Sequence, residues 1–351
     1  MPPRSEDAPA GLQPGRRVTM TDVAHDAGVS QTTVSFVLND RRDVVIAEET
    51  RSRVLESAAR LGYRMNRAAQ ALRLNRSFTI GIITNGIVSQ PYAGLIVQGI
   101  QKAVQPGGYV CMVADTTDDP EEGDAVVADL LDHGVAGIIY ASPSPKPVHR
   151  SGLLVDTRTV FVNCWPSQGG EADTVILADE YNGGLAVASR VFELGHREVA
   201  FLGGELGEYA WRERHRGFID AARKAGVDAR ALPQLNGNYS IGAGYDLTLR
   251  VFRDHRPTAL ICGNDRMAIG ALLAAHSLGL DCPDDLSIAG FDDQPDVASQ
   301  VRPGLTTVAL PHLLMGHRAG TLLIDDPFDS PQRLLVPCHL ISRDSLIAAT
   351  R

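Results

Sequence analysis

The sequence predicts a small all-α head, a short connecting helix, and an α/β core of two doubly wound parallel sheets. Three observations carry that expectation. Between Val18 and Asn39, apolar residues recur at helical spacing on either side of a single glycine. From Phe78 onward, continuous apolar runs alternate with amphipathic segments, as parallel strands covered on both faces require. Charge divides along the same line: residues 16–76 hold 11 Arg, no Lys and 7 Asp or Glu, a balance of +4 in a chain of net charge −9. Residues 1–15 contribute −1, which leaves −12 on residues 77–351. A basic head on an acidic body suits contact with nucleic acid at one end only.

The 351 residues can hold two or three compact units, and 44% hydrophobic with 21% charged residues is ordinary for a soluble globular protein. Five cysteines (Cys111, Cys164, Cys262, Cys282, Cys338) form no Cys-x-x-Cys spacing and read as buried, reduced thiols rather than zinc ligands. No apolar run approaches the ~18 residues of a membrane span, and the N-terminus lacks a signal-peptide pattern, so a cytoplasmic protein is expected.

Residues 1–17, rich in Pro, Gly and charge, read as a disordered tail. Thr21 and Asp22 then suit a helix N-terminus, with Val23, Ala24 and Ala27 as its apolar face. Gly28 can close that helix in the left-handed conformation, letting Val29 fold back. Ser30 opens a second helix in which Val34, Val37 and Leu38 form one stripe, while Gln31, Thr32, Ser35 and Phe36 face away. Two short helices about a glycine turn make a helix-turn-helix, whose second helix enters the DNA major groove. A helical hairpin inside a larger domain fits the periodicity alone as well. A third helix follows from about Glu48 to Leu61, with Val54, Leu55 and Ala58 inward and Ala47 at its cap position.

The pattern T-x-x-D-V-A-x-x-A-G-V-S-x-x-T-V-S-x-V-L-N, read at 19–39, resembles the headpiece of the lactose/galactose repressor (LacI) family. The resemblance runs from about Val18 to Ser345. It implies a headpiece at 18–62, a hinge helix at 63–76, a periplasmic-binding-protein-like core at 77–345 and a tail at 346–351. DNA contacts are then implied for Thr19, Ser30, Gln31, Thr32, Thr33, Ser35, Phe36 and Asn39. Phe36 stands where the family commonly has a guanine-reading arginine, so apolar contact is expected there and Gln31 and Thr32 are the principal base readers. In the hinge, Leu72 matches the leucine that wedges into the minor groove, with Asn66 and Ala69 beside it. Met65 replaces a common proline, and a plain linker is the alternative reading.

In the core, strands are expected at Phe78–Thr84, Tyr109–Ala114, Ala136–Ala141, Thr159–Asn163, Thr174–Leu177, Val199–Gly203, Ala259–Gly263 and Ser287–Gly290. Eight are too many for one small sheet, so two subdomains with a cleft at the strands' carboxyl ends fit better. The resemblance implies crossings near 176, 305 and 325. Subdomain one is then 77–175 plus 306–325, and subdomain two 176–305 plus 326–345. Leu305-Thr306-Thr307-Val308 has the character of a crossing strand.

Effector contacts follow from the same resemblance. Gly263-Asn264-Asp265-Arg266-Met267 resembles A-N-D-x-M and offers Asn264, and Gly290-Phe291-Asp292-Asp293 matches G-F-D-D and offers Asp292. Trp211–Phe218 resembles S-A-R-x-R-x-x-G-F, which puts Arg212 at the effector-binding arginine. Asn163 holds a position where an aspartate often contacts sugar, while Asn85, Tyr92 and Tyr239 match less specific cleft positions. Carboxylate and amide acceptors with one guanidinium suit vicinal hydroxyls, so the expected effector is a sugar or sugar derivative. Each position has a structural reading too, with Asp265 capping a helix and Asp293 closing a turn. His133 and His196 read as surface residues.

Nucleotide-binding, hydrolase and metalloprotease motifs are missing from the sequence, so neither catalysis nor a cofactor or metal is expected. The whole reads as a cytoplasmic, homodimeric transcription regulator on a near-palindromic operator, with effector binding coupled to subdomain closure. A sugar-binding protein without DNA activity and an enzyme on the same two-lobed fold are the alternatives.

Overall fold

The computed structural model describes residues 18–39, 41, 44–63, 77–87, 93–169, 173–325 and 332–350. The chain divides into two compact units, Met1–Arg76 and Ser77–Arg351. The 1–17 tail, Tyr92 and the hinge positions Asn66, Ala69 and Leu72 lie outside the described residues.

In the first unit, α1 (Met20–Ala27), α2 (Gln31–Leu38) and α3 (Glu48–Arg60) enclose Val23, Ala24, Ala27, Val34, Val37, Val54 and Ala58. The cap of α1 is Thr19, not Thr21 or Asp22. Thr19 Oγ1 accepts the Asp22 N–H at 3.3 Å while the Asp22 carboxylate accepts the Thr19 N–H at 2.8 Å, a reciprocal capping box. Gly28 takes φ +63°, and Val29 N–H donates to the Ala24 carbonyl at 3.0 Å, which sets the turn into α2. Leu55, expected inward, is 48% exposed. The inward slot belongs to Ser57, whose hydroxyl donates to Asp26 at 2.5 Å and ties α3 to α1. That bond, with the Arg60 guanidinium, holds the Asp26 carboxyl below its ordinary range. Ala47 gives α3 no side-chain cap.

The second unit runs β1 (Thr79–Thr84), α4 (Gly94–Val104), β2 (Val110–Asp115), α5 (Pro120–Asp132), β3 (Gly137–Val148), β4 (Thr159–Pro166), β5 (Thr174–Ala178) and α6 (Glu180–Glu193). It continues with β6 (Val199–Gly203), α7 (Tyr209–Lys224), β7 (Gln234–Asn236), α8 (Ile241–Asp254), β8 (Ala259–Cys262), α9 (Asp265–Ser277) and β9 (Ser287–Ala289). It closes with β10 (Thr307–Ala309), α10 (His312–Ile324), β11 (Arg333–Val336) and β12 (His339–Ile341). One sheet has the order β11-β5-β4-β3-β1-β2 and the other β7-β6-β8-β9, with every pairing in both parallel. β10 and β12 form a separate antiparallel pair. Continuous burial along β1, β4, β5, β6, β8 and β9 explains why these strands read as unbroken apolar runs.

The lobe boundaries differ from the expected ones. The first crossing follows Ala178 rather than 176, because Thr174–Ala178 pairs in register with both β4 and β11. The third comes after Val336 rather than near 325, because β11 still belongs to the first sheet. Thus 333–336 leaves the second lobe, while 339–341 pairs with the crossing strand β10. The 346–351 segment is no loose tail over its described part: Leu346 is buried, and Ala349 N–H donates to Leu194 O at 2.8 Å. β3 and β4 also outrun their expected ends, pairing Lys146 with Cys164 and Val148 with Pro166 after a register shift.

Candidate functional sites

On α2, hydroxyl and amide groups are mostly committed to the helix itself. Ser30 Oγ accepts the Thr33 N–H at 3.1 Å and lies 2.9 Å from Thr33 Oγ1, while Asn39 Nδ2 donates to Ser35 O at 2.6 Å. Of the expected DNA-contacting residues in this unit, Thr19, Ser30, Thr33, Ser35 and Asn39 therefore hold helix ends in place. Gln31 and Thr32 stand exposed on the first turn, with Phe36 one turn further along the same face.

The carboxyl ends of the second lobe's strands converge on a buried charge cluster. Arg214, on α7, has Nε 2.7 Å and Nη2 3.2 Å from the two oxygens of Glu180, the first residue of α6. Its Nη1 donates to Gly263 O at 2.6 Å, at the end of β8, and Nη2 lies 3.5 Å from Asp292, just past β9. The guanidinium lies over the Phe291 ring, 3.7 Å from its centroid. Side-chain exposures of 7% for Arg214, 2% for Glu180 and 9% for Asp292 mean that each charge depends on the others. Burial alone works against the Arg214 charge, but the Glu180 and Asp292 carboxylates outweigh it and raise its pKa. Burial pushes Asp292 up to about 6 despite the nearby guanidinium. Gly184 and Gly217 make this geometry possible. A Cβ on Gly184 would lie 2.5 Å from Arg214 O, and one on Gly217 2.4 Å from Leu185 N, so α6 and α7 touch backbone to backbone.

Around the cluster, Tyr239 takes φ +60° and Asp292 φ +104°, conformations costly for residues with a Cβ. The Tyr239 ring covers Gly204, and its buried hydroxyl faces the Glu208 carboxylate, which it helps to keep charged. Asn264 is spent on architecture. Its Oδ1 accepts Met267 N–H at 2.9 Å as the cap of α9, and its Nδ2 donates to Tyr239 O at 3.2 Å. Asp265, expected as a possible cap, instead accepts Gln294 N–H at 2.7 Å and the Thr307 hydroxyl at 2.5 Å. Asp293 takes φ +48° and accepts Arg343 Nη2 at 2.7 Å.

In the first lobe, Asn163 sits on β4 at φ +56°, donating Nδ2 to Ser142 O at 3.1 Å. Its buried Oδ1 and the buried Ser142 Oγ have no partner. An unpartnered buried polar atom costs about 1–3 kcal/mol. Both oxygens belong to the first lobe. The two walls meet beside them: the Trp165 ring on β4 contacts the Tyr209 ring at the start of α7, with centroids 5.4 Å apart. Asn85 stands apart from this group, donating Nδ2 to Asp118 at 2.8 Å in the first lobe.

Arg212 packs over the Tyr209 ring, 5.3 Å from its centroid. Its side chain is 57% exposed, paired with Glu213 at 3.3 Å, and the buried arginine of the motif is Arg214. Helical spacing carried the signal: Ala210, Arg214, Gly217, Phe218 and Ala221 share the buried stripe, which leaves Arg212 and Arg216 outside it. Glu180 and Ser142 were also missed, and no sequence motif singles them out. His196, expected at the surface, is buried and bonded to Thr258 Oγ1 at 2.8 Å and Ile347 O at 3.0 Å, with burial lowering its pKa. Among the described residues, no cluster of His, Cys, Asp and Glu could hold a metal ion, and no helix is long and apolar enough to cross a membrane.

A two-lobed core with a polar cleft at its strand ends, following a helix-turn-helix unit, defines a class of ligand-responsive DNA-binding proteins. Residues 19–66 match the family described as bacterial regulatory proteins, lacI family, and residues 188–346 match the periplasmic binding protein-like domain. The chain is 30% identical over 334 residues to the HTH-type transcriptional repressor PurR of Yersinia enterocolitica, covering 93% of this chain and 96% of that one. The structure of the lac repressor dimer bound to operator and the anti-inducer ONPF matches with a TM-score of 0.73 and 26% identity, over 95% of this chain and 100% of that one. That of the transcriptional regulator CelR with cellobiose gives a TM-score of 0.65 and 26% identity, over 94% and 100%. The chain belongs to the lacI family of bacterial regulatory proteins: it is a DNA-binding transcription regulator with a ligand-binding core.

Proposed function

We propose that this protein is a cytoplasmic, homodimeric repressor whose affinity for a near-palindromic operator is set by a small polyhydroxy effector, a sugar or sugar derivative, held between the two lobes. The observation that carries the reading is the pair of buried, partnerless oxygens on Ser142 and Asn163. With the carboxylate of Asp292 they offer a hydroxyl, an amide oxygen and a charged acceptor, the complement of a polyol's alternating donors and acceptors. CelR, with its bound cellobiose, and the lac repressor dimer on its operator are relatives consistent with that effector class and assembly. Binding across the lobes favours the closed arrangement, and the head feels that change through linkage. The role is regulation rather than turnover.

The test is a thermal-shift screen of the full-length protein against mono- and disaccharides, followed by Asp292→Asn and Arg212→Ala. Wild type is expected to gain melting temperature with at least one sugar. Asp292→Asn should lose that gain while keeping DNA binding, and Arg212→Ala should keep both. No response to any sugar, or an unchanged response in Asp292→Asn, overturns the reading.

A further inference from the structure

The helix that reads the operator carries no charge of its own. From Gln31 to Leu38 it contains only amide, hydroxyl, aliphatic and phenyl side chains. Its outward face presents Gln31 and Thr32 and then, one turn beyond Thr32, the half-buried Phe36. After Asn39 the chain folds back against this face. Arg41 N–H donates to the Phe36 carbonyl at 3.0 Å, and the Arg41 guanidinium carbon lies over the Phe36 ring, 5.8 Å from its centroid. The backbone bond fixes where Arg41 begins, and the ring is one of the contacts of its exposed side chain. A guanidinium at that distance is within cation–π range, and its flat shape suits an aromatic face.

We propose that Phe36 and Arg41 form one operator-reading unit, in which the phenyl ring carries the Arg41 guanidinium along α2 to the major-groove edge of a guanine. The inference rests on the head being the operator reader. Three considerations favour a base edge over a phosphate. The ring belongs to the same face as Gln31 and Thr32, the face an inserted helix turns toward the bases. Contact with the ring narrows where the guanidinium fork can lie, and two-point bonding to guanine O6 and N7 gains from that narrowing. A phosphate contact needs only a charge nearby and gains little from such orientation. Holding a long side chain in advance also lowers the entropy lost on binding. Phe36 then acts as a positioning residue, and Arg41 as the residue that touches DNA.

The experiment uses the full-length protein and a pool of duplex oligonucleotides with a randomised core, selected by binding and sequenced. Wild type, Arg41→Ala, Arg41→Lys, Phe36→Ala and the double variant are compared. Affinities for the wild-type site and its single-base variants are then measured across a salt series. Wild type should enrich a site with a strongly weighted G·C pair in each half. Arg41→Ala and Arg41→Lys should lose the weighting at that pair alone and bind the wild-type site about 10–100-fold more weakly. Phe36→Ala should do the same, and the double variant should be no weaker than either single one. Should Phe36→Ala fail to fold, the exposed Arg41 variants decide the matter. If Arg41→Ala weakens all sequences equally, with base weights unchanged and a salt slope lower by about 1, Arg41 serves a phosphate and the proposal is overturned. Unchanged binding overturns it as well. A wild type that enriches no sequence overturns the reading of the head along with it.

Discussion

In the second lobe, Arg214, Glu180 and Asp292 answer one another's charges, and nearly every donor of the guanidinium already has an acceptor. In the first lobe, Ser142 and Asn163 are neutral, and each keeps a buried oxygen without a partner. One wall of the cleft is complete by itself and the other is not. The difference separates two jobs that a binding site usually mixes. Ion pairs within the charged wall hold its shape, so loss of the central Arg214 shows first in folding. On the proposed reading the neutral wall gains its partners from the effector, so damage to it shows first in binding.

The largest test of that contrast is Arg214→Ala. It strands two buried carboxylates, one of them 2% exposed, and should cost about 3–5 kcal/mol in urea unfolding of the core. A loss below about 1 kcal/mol would break the claim that the charged wall is structural. A second test uses pH. Burial, and then the Asp292 charge, push Asp265 up to about 7 from its usual 3.8, and Asp292 is at about 6. The folded state therefore keeps protons that the unfolded chain has lost, and stability falls as pH rises from about 4 through about 7. Asp265→Asn removes one such proton, so the difference between melting temperatures at pH 5 and pH 8 should narrow; an unchanged difference refutes the assignment. The smallest effect belongs to the neutral wall. Asn163→Gly relieves a left-handed backbone angle and deletes an amide that has a single bond to Ser142 O. Stability should stay within about 1 kcal/mol, while the thermal shift produced by a bound sugar disappears. A large loss of stability with the sugar response intact would reverse the roles of the two walls.

The head was largely legible, because its information is local. Glycine at 28, serine at 30 and the stripe of Val34 and Val37 fix each element from neighbours within a few residues. The alternation of apolar runs likewise announced two parallel sheets, since strands buried on both faces leave no polar interruption. The lobe boundaries were harder. β11 reads Arg333-Leu-Leu-Val336 with two exposed residues, and only its partner β5 shows which sheet owns it. The cleft was legible in part. Asn163, Tyr239 and Asp292 all take positive φ, Asn163 within β4 and the other two beyond strands, but only Asp292 falls in a motif. Motif spelling points to Arg212, while helical phase points to Arg214. Glu180 and Ser142 acquire meaning only from what packs on them, which a linear pattern does not record.

The crossing strand β10 carries a consequence of its own. Asp292 N–H donates to Val308 O at 2.8 Å, Leu310 N–H returns to Asp292 O at 3.2 Å, and Asp265 grips the Thr307 hydroxyl. β10 is also one of the chain's passages from one lobe to the other. On the proposed reading, the acid that contacts the effector is thus hydrogen-bonded through its own backbone to the strand that passes between the lobes, so a change in its backbone reaches that strand without a relay of side chains.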